Sequence, residues 1–157
     1  MQQFIPDKLE ITGTGITYFE DQLGDTIPGR GVHKSIGYYQ NRISDRLMQL
    51  GAGAIVFSPG TFPTSPERYG FLITFSLNGI PGRIEVAALP IHHETPNRKD
   101  RALAQALYNV GEWLQFEIYG TIFKPGSVPL VPYLVGAGGK TVTETLVEMQ
   151  MLPMLKG

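Results

Sequence analysis

At 157 residues, 42% of them hydrophobic and none a cysteine, the chain has the size and composition of one globular domain. The missing thiols exclude disulfides, thiolate nucleophiles and cysteine-bound zinc or iron–sulfur centres. The net charge of −1 conceals a division: residues 1–25 carry one base and five acids, whereas residues 26–101 carry nine bases and five acids, a local net of +4.

No apolar run approaches the ~20 residues that span a bilayer. The start, Met1-Gln2-Gln3-Phe4-Ile5-Pro6-Asp7, lacks a basic stretch followed by an apolar one, so a cytoplasmic protein is expected. Residues 9–12 and 15–19 alternate around Gly13 and predict a short hairpin. A Gly- and Pro-rich stretch from Glu20 to His33 reads as a long loop.

Residues 35–50 predict a helix, because Ile36, Tyr39, Ile43, Leu47 and Leu50 recur at three- and four-residue steps before Gly51. Three strands follow. The first is Ala54–Phe57. The second runs from Tyr69 to Asn78, with Tyr69, Phe71, Ile73, Phe75 and Leu77 on one face. Asn78-Gly79 marks a turn into the third, Arg83–Leu89. A long helix is expected over Asn97–Tyr119, with Thr95-Pro96 as its cap and first position. Prolines 125, 129 and 132 limit any strand between Thr121 and Val135 to a short or edge one. Thr141–Glu144 fits a capping box opening a last helix to about Met151, before Pro153. The order predicts a single α+β domain over 1–157. Its antiparallel sheet has a helix–three-strand–long-helix core (34–119), preceded by the hairpin and loop (1–33) and followed by a C-terminal extension (120–157).

Single-stranded nucleic acid needs cations along its phosphates and flat rings for its bases. The basic middle supplies both. Lys34, Tyr38, Arg42 and Arg46 are each four residues apart and form one line on the first helix, away from its apolar stripe. Arg30, Phe62, Arg68, Tyr69 and Arg83 complete a basic–aromatic set, and Arg98, Lys99 and Arg101 crowd the start of the long helix. Cations there oppose the helix dipole unless a phosphate binds at that end or Glu94 and Asp100 compensate them. The plain alternative is a solvated helix face with ordinary core aromatics, which suits Tyr69 best since it shares a face with Phe71 and Phe75.

Other chemistry finds less support. His92-His93-Glu94 resembles a ligand cluster, but neighbours on a strand point to opposite faces, and His33, Glu20, Asp21 or Asp25 would have to complete it. Gly136–Thr141 has the wrong spacing for a phosphate-cradling loop, and no Gly-x-Ser-x-Gly occurs. No enzyme, cofactor or metal is called for.

The stretch from Arg101 through Trp113 to Glu117, with Val128–Val135 containing Pro132-Tyr133-Leu134 and then Lys140–Leu146, resembles the C-terminal third of small phage- and mobile-element-encoded proteins. The element order is also similar to the Whirly class of single-stranded DNA binders. That resemblance implies a sheet face for the strand and helices for oligomerisation, here with Trp113 and Leu114 at a symmetric contact. The expectation is a homo-oligomeric protein that binds single-stranded nucleic acid, DNA in the first instance, with low sequence specificity. The alternatives are a phage protein-contact or structural protein using apolar surfaces such as Met149, Met151 and Met154, and a metal-dependent hydrolase or nuclease built on His92, His93 and Glu94.

Overall fold

The computed structural model describes residues 16–24 and 26–156, with side chains through 149. Its elements are α1 (Ile36–Gln49), β1 (Ala52–Phe62), β2 (Arg68–Leu77), β3 (Ile80–Ala87), α2 (Pro96–Phe123) and α3 (Val142–Lys156). The strands form an antiparallel sheet in the order β1-β2-β3. The expected α+β architecture is what is found.

Alternation on β2 decides which face is covered. Phe71, Ile73, Phe75 and Leu77 are buried, together with Ile84 and Val86 of β3, and meet Tyr39, Ile43 and Leu47 of α1 and Leu103, Leu107 and Leu114 of α2. Both helices therefore lie on one side of the sheet. The other face, with Val56 and Ser58 of β1 beside Thr74 and Leu72 of β2, is left without a helical layer.

Local signals account for the element ends. The Ser35 hydroxyl accepts the Tyr38 N–H at 3.1 Å, and Thr95 does the same for Arg98, with Pro96 in the first turn of α2. At the other end of α1, Gly51 takes φ +95, the left-handed step that stops a helix. Asn78 and Gly79 both have positive φ, which a two-residue hairpin turn matched to strand twist requires. Thr141 and Glu144 cap each other reciprocally, as the capping box anticipates.

Three expectations need correction. The first arm of the N-terminal hairpin lies outside the described residues; the second is not a strand, since Phe19–Asp21 form a 3-10 turn. β1 is 11 residues long because Pro59-Gly60, which reads as punctuation, sits inside an edge strand where a missing N–H costs no ladder bond. The loop between β1 and β2 shrinks accordingly to residues 63–67. The stretch after α2, where the prolines limit any strand, keeps to its expectation and makes only single bridges, from Leu134 to Gly82 and from Val135 to Thr141. Both long helices overrun their expected ends. α2 continues through Gly120 to Phe123, and α3 passes Pro153, which removes one backbone donor without ending it. Among the described residues, no helix is long and apolar enough to cross a membrane.

Candidate nucleic-acid interface

The twelve residues singled out in the sequence fall into three places. The cationic line of α1 is the most concentrated. Glycine inside a helix costs about 1 kcal/mol relative to alanine, so Gly111 in the middle of α2 needs a reason. A Cβ there would stand 3.4 Å from Arg46 Nη1 and 3.8 Å from Ile43. The gap lets α1 close on α2 and lets the Arg46 guanidinium donate to the Gly111 carbonyl. Arg42 pairs with Glu112, which also lies 3.7 Å from Arg46. The Arg42 guanidinium is 5.3 Å from the Tyr108 ring centre. Lys34 Nζ stands 5.7 Å from the ring centre of Tyr38, which is half exposed.

Between these side chains lies a cavity of about 360 Å3 lined by Tyr38, Asn41, Arg42, Asp45, Arg46, Gln49 and Gln115. Two guanidinium groups, three amides and one ring converge on it. Burial and the neighbouring Arg42 charge lower the Arg46 pKa from its ordinary value, but a guanidinium keeps its proton in any aqueous protein setting. Asp45 and Glu112 balance the two arginines locally. Any anion entering must therefore compete with Glu112.

The second place is the uncovered sheet face. Phe62 leans over Gly70, and the two glycines Gly60 and Gly70 leave a cavity of about 280 Å3 with Ser58, Leu72 and Glu85 around it. Arg83 points along this face to Glu144, binding α3 to the sheet. That guanidinium, with the capping bond from Thr141, holds the Glu144 carboxyl below its ordinary pKa.

The third place is the start of α2. Arg68 donates to the Ala88 and Ala87 carbonyls at 2.7 and 3.1 Å, which makes it a brace for the end of β3. Lys99 stands 4.3 Å from the Tyr69 ring centre, and the neighbouring Glu94 carboxylate raises the Tyr69 pKa. Arg101 donates to the Val32 carbonyl, and Arg30 reaches the Gly24 carbonyl at 3.5 Å. Arg98 turns back to the His93 carbonyl and lies 3.7 Å from Glu20. The compensation expected from Glu94 and Asp100 comes for Arg98 from Glu20.

Glu20 and Asp21 do meet His92 and His93, through hydrogen bonds. The Glu20 carboxylate accepts the N–H groups of both histidines, at 3.1 and 2.7 Å. The His92 ring is 2.8 Å from Asp21 and stacks on Tyr18 at 3.5 Å. Glu94 lies beside Tyr69 instead. Among the described residues, no three His, Asp or Glu side chains converge to hold a metal. Burial pushes the Glu20 carboxyl up, while the two N–H donors and the Arg98 charge outweigh it and leave the pKa below the ordinary 4.5. A carboxyl depressed in the folded state stabilises above its unfolded pKa, and the contribution fades as pH falls through the folded one. Glu20→Gln should therefore cost about 1 kcal/mol at pH 7, allowing for partial exposure. The gap from wild type should close between pH 5 and the acid limit, as thermal melts across that range would record.

Glu112 and Gly111 had no signal in the sequence, being about 65–70 residues from their arginines. Asn41, Asp45 and Gln49 were findable, since they share the helical face of Tyr38 and Arg42 at three- and four-residue steps. The fold and this groove define an α+β protein with a polar, arginine-lined cleft between two helices and an uncovered sheet face. No family model matches the chain, and no similar curated protein or solved structure was found. The phage resemblance rests on the residues quoted above alone, and the Whirly resemblance on the order of elements alone.

Proposed function

We propose that the protein binds single-stranded nucleic acid, DNA in the first instance, in the cleft between α1 and α2. One observation carries this reading: Tyr38, Arg42 and Arg46 line the same cavity as three amide side chains. Phosphates would take the arginines from Glu112, and Tyr38 would stack on a base. Stacking tolerates every base, and the amides offer both donors and acceptors, which suits low sequence specificity. Lys34 extends the cationic path beyond Tyr38.

The reading makes opposite predictions for two substitutions. Tyr38→Ala should weaken binding of a labelled single strand about tenfold, within the ~1–3 kcal/mol of one base stack. Glu112→Gln should tighten it several-fold, because the arginines lose their internal competitor. A purely structural role for the ion pair predicts instead that Glu112→Gln lowers stability and leaves affinity where it was. Fluorescence anisotropy and a thermal melt on the same sample separate the two.

A second reading is a protein-contact role without nucleic acid, as a phage structural component or an inhibitor of a host factor. It is favoured by the engagement of Arg68, Arg83, Arg98 and Arg101 within the fold and by the exposed apolar side chains Phe116, Phe123 and Met149. The side chains of Met151 and Met154 lie outside those described. Salt discriminates: nucleic-acid affinity falls steeply as salt rises, and an apolar interface changes little.

A further inference from the structure

One charged group in the α1–α2 cleft has no task in phosphate binding. Glu112 engages both arginines, in contact with Arg42 and 3.7 Å from Arg46. Asp45 lines the same cavity and takes part in none of the ion pairs among the described residues. A free carboxylate repels phosphate, so in a cleft for a nucleic-acid strand it has to act on another part of the nucleotide. Trp113 and Leu114, expected at a subunit contact, do not share the cleft: Leu114 is fully buried and Trp113 packs on Tyr133 at 5.2 Å. From this stretch of α2 it is Gln115 that lines the cavity.

The helix sets Asp45 among groups that complement it. At about 100° per residue, Tyr38, Asp45 and Gln49 fall within about 40° of one line on α1, with Asn41 about 40° to one side of Asp45. Arg42 and Arg46 stand about 40° and 80° from Tyr38 to the other side. There they meet Glu112 and the Gly111 carbonyl of α2. Asn41 and Gln49 are each one turn from Asp45, about 6 Å along the axis. One helix thus carries two tracks. The arginines suit a backbone, and the row of amide, carboxylate and amide suits base edges. A carboxylate only accepts hydrogen bonds, whereas an amide both accepts and donates.

We propose that Asp45 reads a base, and that the base it selects is guanine. The inference rests on the cleft taking up single-stranded nucleic acid. Bases splayed from a single strand present their Watson–Crick edges to side chains. On that edge guanine sets two donors side by side, N1–H and the 2-amino group, next to the O6 acceptor. Adenine and cytosine set one donor beside an acceptor, and thymine places its single N–H between two carbonyls. Of the four, only guanine satisfies both oxygens of one carboxylate, and its O6 then falls to an N–H of the Asn41 or Gln49 amide. The other bases turn an acceptor toward a group that has no donor to offer. The cavity, about 360 Å3, lies in the ~300–1,000 Å3 range of small-ligand sites. Selection acts at one position only, and phosphate contacts and stacking hold the rest of a strand whatever its sequence.

The test is fluorescence anisotropy of the full chain with labelled dT strands of ~10 nucleotides, each carrying one central dG, deoxyinosine, dA or dT, at about 50 mM salt. The dG strand should bind about tenfold tighter than the all-dT strand, as one bidentate contact allows. Deoxyinosine keeps N1–H and O6 and lacks only the 2-amino group, so it should fall between the two. Stacking on Tyr38 alone predicts no such gap between two purines. Asp45 is exposed on α1, so Asp45→Asn should keep the wild-type melting midpoint. That change turns one acceptor into a donor and removes a charge that repels phosphate. It should tighten the all-dT strand and abolish the advantage of dG over dA. Equal affinities for all four strands in the wild type would overturn the assignment and leave the cleft as a general single-strand site. A dG preference that survives Asp45→Asn would overturn it too. Binding of none of the strands would overturn the cleft as the nucleic-acid site, and the role of Asp45 with it.

Discussion

Arg42→Glu combined with Arg46→Glu should lower affinity for a single-stranded oligonucleotide about 100-fold at low salt, roughly 1.4 kcal/mol for each reversed charge. Two phosphate partners become two repelling carboxylates beside Glu112. The same change strips the donor from the Gly111 carbonyl, so the helix pair also loosens. Arg42→Gln with Arg46→Gln is the milder companion. It should cost about tenfold and reduce the slope of log affinity against log salt by roughly 1.4, two contacts at ~0.7 each for a single strand. Binding measured well below each variant's melting midpoint keeps the two effects apart. If the glutamine pair melts like wild type and binds with the same affinity and slope, the cleft is not the site.

The largest effect on stability should come from Gly70→Ala. Gly70 is buried in the middle strand of the sheet, and a Cβ there would run into the Val86 backbone carbonyl and the ring of Phe62. A ring can move, but a carbonyl in the neighbouring strand moves only with the ladder that holds it. The expected loss is about 3 kcal/mol or more, as for other overpacked sites, or roughly 6–12 °C in melting temperature at this chain length. Gly60→Ala on β1 is the control. Its pair partner in the ladder is Gly70, yet its own Cβ position meets nothing within 4 Å. That variant should change stability by less than 1 kcal/mol. Equal losses in the two would mean that the cost lies in glycine's backbone freedom and not in the contact with Val86.

The elements legible in the sequence were those whose signals are local. The alternation from Tyr69 to Leu77, the Asn78-Gly79 turn and the Ser35 and Thr95 caps all act within a few residues, and each holds in the structure. Pro59 misled for a physical reason. It is a breaker in isolation and is tolerated where it stands, on an edge strand. The site was half legible. The four-residue spacing placed Lys34, Tyr38, Arg42 and Arg46 on one line of α1, but nothing local revealed that α2 answers it with Glu112. The engagement of Arg68 with the end of β3 and of Arg83 with α3 was equally hidden, because each partner lies about 20 or 60 residues away. Spacing along one element shows which residues share a face; which face meets which is set by tertiary packing.

The central claim is that the α1–α2 cleft takes up single-stranded nucleic acid. Its most direct test is fluorescence anisotropy of a labelled strand of ~30 nucleotides, with the matching duplex as competitor, at about 50 and 200 mM salt. The account predicts preference for the single strand and an affinity that drops steeply between the two salt concentrations. No binding at the lower salt would contradict it.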